Sequence, residues 1–185
     1  TTTGSSNTSV GQYALQANTT ASNNTAVGYQ AGYSNTGGNN TFTGYQTAYA
    51  NTTGQQNSAY GLRSLYTNTT GSYNTALGYN TLYSNTTASA NTAVGYQAGY
   101  NNTTGTRNTF VGRGTGYTSN GDDNTAVGRN ALYNNTTGAG NAVLGVDALT
   151  ANTTGALNTA IGYLALNANT TASNTTAVGY RAGYA

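Results

Sequence analysis

The chain has 185 residues, of which only 4% are charged and 36% are hydrophobic, and its formal net charge at pH 7 is +2. It contains no Lys, Glu, His, Cys, Met, Trp or Pro, which excludes a disulfide framework, thiol chemistry and catalysis by histidine. Large aliphatic side chains are too few for a thick globular core, and the five Arg residues are too sparse for a surface that follows nucleic-acid phosphates.

Glycine recurs at a nearly fixed interval along the whole chain, in the segment "NTAVG" and its variants. The interval is 16 or 17 residues, which gives eleven copies and predicts a single repeat domain over residues 1–185. Because the chain amounts to a whole number of copies, we expect it to be a window of a longer fibre. We number each copy from the Asn of this segment, so that the glycine is position 5. These glycines are Gly11, Gly28, Gly44, Gly61, Gly78, Gly95, Gly112, Gly128, Gly145, Gly162 and Gly179.

The first half of each copy has the composition of a packed β-segment. Position 1 is Asn in ten copies, position 4 is usually aliphatic, and position 8 is always Ala, Ser or Thr. Val, Thr and Tyr favour a pleated surface. We therefore predict a pleated, packed segment over positions 2–10, in which positions 4 and 9 stack into two apolar columns. The position-1 asparagines include Asn24, Asn74, Asn91, Asn124 and Asn158.

Two rows of tyrosine follow, at positions 6 and 10. A Tyr side chain has an apolar body and a polar tip, so a row of them suits packing within the coil, packing between identical chains, or contact with a glycan. The sequence leaves these interpretations open. The position-10 row is Tyr33, Tyr49, Tyr66, Tyr83, Tyr100, Tyr117, Tyr133 and Tyr184.

The last third of each copy, positions 12–17, most often begins Asn-Thr-Thr. The two short copies lose their residue here, in "SNTGGN" and "TSNGDD", which predicts an outer surface turn. Asparagines stacked at positions 1 and 12 predict amide ladders along the rod. The same "NTT" triplets match the N-glycosylation acceptor pattern, which is the alternative interpretation. The triplets begin at Asn18, Asn51, Asn68, Asn85, Asn102, Asn135, Asn152 and Asn169.

These elements predict an all-β fold. The glycine at position 5 and the recurring Asn-Thr-Thr clusters leave no uninterrupted segment long enough for a stable helix. Short strands at even spacing, broken by Asn/Gly turns, predict a β-solenoid or parallel β-roll of eleven coils with about 17 residues each. Coils stacked at roughly 4.8 Å would form a rod of roughly 50 Å.

The repeat resembles those of known fibres. "NTAVGYQAGYSNT" and "NTALGYNTLYSNTT" resemble the Tyr/Asn-rich repeats of bacteriophage tail fibres and related bacterial surface proteins. More distantly, "NTAVG" is similar to the "NSVAIG" core of the head repeats of trimeric autotransporter adhesins, although that repeat is shorter. The resemblance covers all eleven copies. It implies a left-handed parallel β-roll, three chains packed together, and a location outside a cell or on a virion.

The residue inventory predicts a protein that is not an enzyme and has no cofactor. Asp122 and Asp123 lie together in one Asn/Gly turn, which could hold Ca²⁺ but more simply forms a solvated turn, so no metal is expected. No apolar run is long enough to span a bilayer, and we expect no nucleic-acid partner. The predicted function is a structural and adhesive repeat segment of an extracellular, cell-surface or virion fibre. Its partners would be identical chains, and its contacts multivalent.

Other functions fit the same pattern. The Tyr and Asn rows could bind a cell-surface glycan, and the Thr rows at positions 2 and 13 could bind ice. Against ice, position 2 lies beside varied residues at position 3, and position 13 lies in the turn that suffers deletions. A third hypothesis is a single-chain solenoid that stacks end to end into an extracellular filament. The sequence leaves homotrimer and filament open.

Overall fold

The computed structural model describes residues 3–184, and their fold is a β-solenoid. Each copy contributes one three-residue strand, and the eleven strands pair in chain order, all parallel, into a single sheet. Within the described residues there is no helix, so the predicted all-β solenoid is confirmed. The strands are β1 Thr8–Val10, β2 Thr25–Val27, β3 Thr41–Thr43, β4 Ser58–Tyr60, β5 Thr75–Leu77, β6 Thr92–Val94, β7 Thr109–Val111, β8 Thr125–Val127, β9 Ala142–Leu144, β10 Thr159–Ile161 and β11 Thr176–Val178.

Each strand pairs with its neighbours in the repeat register. Thr75 lies opposite Thr92, Ala76 opposite Ala93, and Leu77 opposite Val94. The same register holds at every pair of strands, including those that flank the two short copies. Equivalent positions therefore form columns that run along the whole solenoid, and the shortened turns leave this register unchanged.

The interior is built from positions 3 and 9, which corrects one of the two predicted columns. Position 9 is buried as predicted, with Leu82 and Leu132 at 0% exposure. Position 4 is not, because side chains alternate along a strand and position 3 is the one that points inward. Ala76 is 0% exposed, whereas the next residue, Leu77, is 48% exposed. The prediction of an aliphatic core column at position 4 is therefore wrong.

Large and small side chains compensate each other across the interior. Phe110 replaces the usual Ala at position 3, and the glycine at position 9 of the same coil, Gly116, leaves space for its ring. A Cβ on Gly99, in the preceding coil, would lie 3.0 Å from the same ring. Phe42 and Gly32 repeat this arrangement, with the corresponding distance at 2.8 Å. The narrow interior thus keeps a nearly constant volume, as close packing requires.

Asparagine ladders complete the interior. In the position-1 ladder, the Oδ1 of Asn57 accepts a hydrogen bond from the backbone N–H of Asn74 at 2.9 Å. The Nδ2 of Asn74 donates to the carbonyl of Ala88 at 3.0 Å. In the position-12 ladder, the Nδ2 of Asn85 donates to the Oδ1 of Asn68 at 2.7 Å. Buried polar groups are costly unless they are paired, and these ladders pair most of the buried amide atoms from coil to coil.

The pleated segment is shorter than predicted. Only positions 2–4 are strand, and the residues after the position-5 glycine form successive turns in which positions 7 and 9 adopt positive φ, as at Asn80 (51°) and Leu82 (48°). The turns still pair with the neighbouring coils. The N–H of Leu82 donates to the carbonyl of Ala98 at 3.0 Å, and that of Ser84 donates to Tyr100 at 2.9 Å. Backbone pairing therefore continues well beyond the strands.

Candidate binding surfaces

The position-10 tyrosines form one continuous aromatic row. Seven rings, from Tyr33 to Tyr133, stack nearly parallel, with centroids 4.8 to 5.4 Å apart. All seven are half-buried. Stacked rings at this distance are mutually stabilising. The row therefore packs within the chain, one of the roles that the sequence leaves open, and its rings remain partly exposed.

Burial also changes the acidity of this row. Burial raises the pKa of Tyr66, Tyr100 and Tyr117 above the ordinary value of 10.0, and neighbouring tyrosines raise it further. A phenolate in the row would be poorly solvated and would lie close to other ionising rings. These three rings therefore stay neutral at physiological pH.

The position-6 tyrosines are more exposed than the seven stacked rings from Tyr33 to Tyr133, at 37% for Tyr29 and 71% for Tyr180. They stack in three separate pairs rather than one row, because position 6 is Gln, Leu, Arg or Val in the other coils. Tyr79 and Tyr96 form one of these pairs, with centroids 5.3 Å apart. These rings are available to an external partner.

We define the outward sheet face as the side chains at positions 2 and 4 of the eleven strands. It contains no charged residue. Its position-4 row is mostly aliphatic, with Thr43 and Tyr60 as the exceptions, and ranges from half-buried at Val94 to exposed at Leu144 (52%) and Val178 (65%). The position-2 Thr hydroxyls form no hydrogen bond to any residue of 3–184. The varied residues at position 3, which the sequence analysis counts against ice binding, point into the interior and are not part of this face.

The three Asp residues are paired with arginines. Asp123 binds Arg107 through two hydrogen bonds, at 2.6 and 2.9 Å, and this contact lowers the pKa of Asp123. Asp122 lies 3.8 Å from the same guanidinium. Asp147 accepts a hydrogen bond from Arg129 at 2.7 Å. Across residues 3–184, no group of three or more His, Cys, Asp or Glu side chains forms a metal site.

The predicted glycosylation sites lie mostly in the interior. Six of the eight are fully buried, and their Nδ2 atoms are used by the ladder; that of Asn68, for example, donates to the carbonyl of Gly71 at 2.9 Å. A glycan attached to Nδ2 would disrupt both the ladder and the packing, so it is incompatible with the folded solenoid at these six positions. Asn18 and Asn169, in the end coils, are half-exposed. The six buried sites are Asn51, Asn68, Asn85, Asn102, Asn135 and Asn152.

One groove interrupts the regular surface. Position 7 carries a side chain in ten coils, and these side chains lie between the position-6 side chains and the position-10 row; Gln46, for example, donates to Gln30 at 2.8 Å. In the seventh coil position 7 is Gly114, and a groove of about 270 Å³ opens there. Its lining includes Tyr96, Gln97, Arg113, Tyr117, Asn130 and Tyr133. Sequence reasoning missed it, although the Arg-Gly pair at positions 6 and 7 is a visible departure from the repeat.

Comparison with known proteins adds no relative. No protein-family model, no curated protein and no solved structure matches the chain. Within residues 3–184 no helix is both long and apolar enough to cross a membrane. The class that the structure defines is that of β-solenoid repeat proteins. The resemblance to tail-fibre and adhesin repeats stays an expectation.

Proposed function

We propose that the chain is a structural and adhesive segment of an extracellular or virion fibre, which acts as a rigid rod with a multivalent surface. The observation that carries this proposal is the uninterrupted parallel pairing of all eleven strands in one register. A solenoid of this kind holds every side-chain row at a constant spacing along its axis. A partner can therefore make many weak contacts along one row, and a multivalent fibre binds through such repeated contacts.

The outward sheet face supports identical chains as partners. Nine of the eleven position-4 residues are aliphatic, with Thr43 and Tyr60 as the exceptions, and this row is larger than the scattered apolar residues of an ordinary soluble surface. The face is uncharged and repeats at the coil spacing, and a second copy of the chain has the same spacing. Such a copy can therefore contact every coil. A closed homotrimer would cover this face on each chain.

A glycan-binding rod is the second candidate. The observation that favours it is the exposure of the position-6 tyrosines, whose ring faces and hydroxyls suit contact with sugars. A screen against glycans and whole cells tests this candidate, and a thermal-hysteresis measurement tests ice binding by the Thr row. Binding to glycans by a chain that stays monomeric would favour this candidate over the self-associating fibre.

The native mass of the chain, measured by light scattering after size exclusion, tests the fibre proposal. We expect a discrete species of three chains of 18.7 kDa each, or longer polymers, and elongated particles in electron micrographs. Replacing two exposed position-4 residues, Leu77→Thr and Leu144→Thr, should weaken this association without unfolding the chain, since position 4 is already Thr at Thr43.

The matched control is Leu157→Asn, because Leu157 has φ of 58°, a conformation that β-branched residues disfavour and that Asn already adopts at position 17 in Asn23 and Asn174. Leu157 is 63% exposed but lies at position 17, away from the outward sheet face. It should leave the native mass unchanged. A chain that stays monomeric at high concentration and binds neither cells nor glycans would overturn the fibre proposal.

A further inference from the structure

The groove at Gly114 lies where the repeat changes its chemistry. In the preceding coil, positions 6 and 7 are Tyr96 and Gln97, whereas this coil has Arg113 and Gly114. Gly114 removes the position-7 side chain beside the position-10 row, and Arg113 adds a cation next to the space that results. The groove is therefore a local feature of one coil, unlike the periodic rows described above.

Arg113 is the cation of this groove, and its donors are unused. Its guanidinium lies 5.8 Å from the ring centroid of Tyr96, and it forms no ion pair or side-chain hydrogen bond with any residue of 3–184. By contrast, Arg107 and Arg129 are paired with Asp residues. A planar guanidinium with free donors binds a carboxylate through two parallel hydrogen bonds.

The other walls of the groove offer aromatic faces and amides. Tyr117 and Tyr133 stack with centroids 4.8 Å apart and form one wall. The side-chain amide of Gln97 has no partner among residues 3–184. Asn130 donates its Nδ2 to Asp147 at 2.9 Å, which leaves its Oδ1 as an acceptor. The site thus combines an apolar wall, hydroxyls, amide groups and one cation.

We propose that this groove binds a sugar unit that carries a carboxylate. The acid group would pair with Arg113, the C–H face of the ring would pack on the tyrosines, and the ring hydroxyls would bond to Gln97 and Asn130. A phosphate or sulfate ion would use the guanidinium but not the aromatic wall. The inference rests on the proposed adhesive role, and it names the substrate class for one site on the rod.

The test is a titration of the full chain, followed by NMR, with two acidic probes and their neutral counterparts. Sialyllactose is compared with lactose, and a galacturonate trimer with a galactose trimer, which separates the two sources of a sugar carboxylate. We expect at least one acidic probe to bind about tenfold or more tightly than its neutral counterpart, because a hydrogen bond to a charged group is worth more than a neutral one. Saturation of the tyrosine ring protons should transfer to the protons of the bound sugar.

Two variants locate the binding. Arg113→Gln should weaken it about tenfold or more. Gly114→Gln should fill the groove and weaken it by at least as much. Gln is already at position 7 in other coils with the same backbone, with φ of 53° at Gln30 and 55° at Gln97 against 64° at Gly114. The fold should therefore persist, as circular dichroism and native mass would show.

Arg63→Gln is the control, since it removes the same charge from position 7 outside the groove. It should bind as the unchanged chain does. Equal affinity for acidic and neutral probes, full binding by folded Arg113→Gln, or no binding by the intact rod would overturn the proposal. Each of these results is independent of the native mass, so the experiments can contradict the groove proposal without contradicting the fibre proposal, and the reverse.

Discussion

The stacking of coils leaves no space for a side chain at position 5, as Gly95 shows. Gly95 has φ of 133°, a conformation that side chains disfavour, and an added Cβ would lie 2.5 Å from the carbonyl oxygen of Gly112 in the next coil. We expect Gly95→Ala to lower the free energy of unfolding by several kcal/mol, since about 1 to 3 kcal/mol comes from backbone strain alone. Denaturation followed by circular dichroism measures the loss.

Gly179→Ala separates strain from the clash between coils. Gly179 has nearly the same φ, 128°, but among the described residues its added Cβ would meet only Ala182, at 4.0 Å, and no backbone carbonyl. It should therefore cost at least about 2 kcal/mol less than Gly95→Ala. Equal losses would show that the backbone conformation alone, and not the neighbouring carbonyl, requires glycine.

The buried asparagines predict a pH-dependent variant. Asn74 donates from Nδ2 to two oxygens, those of Ala88 and Asn57 at 3.0 and 3.1 Å, so the carboxylate of Asn74→Asp would face acceptors in a buried site. The folded-state pKa of this carboxyl would be raised, so at intermediate pH the unfolded chain would bind fewer protons than the folded chain. Stability should then fall as pH rises, with a loss of about 3 kcal/mol or more at pH 7.

Part of the stability of Asn74→Asp should return as the pH is lowered toward about 4, where the unfolded carboxyl begins to protonate. Asn134→Asp is the matched control because Asn134 is exposed at the surface. It introduces the same charge and should leave stability nearly unchanged. A pH profile of Asn74→Asp that is parallel to that of the control would contradict the buried ladder.

At the scale of the strand and its turns, the sequence predicts how the coils stack better than it predicts which face of the strand is buried. In-register stacking follows from the period, because identical positions must recur wherever coils pair. A strand of three residues such as Thr-Ala-Val shows too little alternation to reveal which side is buried. Hydrophobicity favours Val, but the narrow interior accepts Ala, or Phe where Gly is nearby. The positive φ of Leu82 or Asn80 was also unpredictable, since the fold rather than residue preference imposes it.

The stacked tyrosines of the turns predict an alkaline transition. Burial raises the folded-state pKa of Tyr66, Tyr100 and Tyr117 above 10.0, so the folded chain retains phenol protons that the unfolded chain loses. Their contribution to stability is therefore fully present below about pH 10 and is lost as pH rises through the raised pKa. A phenolate absorbance titration should show these rings ionising later in the native chain than in urea. Coincident titration curves would contradict this prediction.

For the whole molecule, stability accumulates along one axis. Each coil contacts only its neighbours, so the total approximates a sum of coil and interface contributions. The ends show this directly, because Leu15 and Ala177 remain 7% and 8% exposed, whereas interior equivalents such as Leu82 and Ala93 are at 0%. Most of the interface consists of backbone hydrogen bonds, amide ladders and stacked rings, and none of these carries a net charge.

This composition predicts stability that is nearly independent of salt. The ion pairs within residues 3–184 involve only Arg107 and Arg129, whose side chains are 58% and 50% exposed, and exposed pairs contribute little and are screened. Thermal unfolding in dilute and in molar sodium chloride should give midpoints within a few degrees of each other. Arg107→Gln should behave like the unchanged chain in both. A shift of many degrees would mean that charge, rather than the uncharged ladders, holds the coils together.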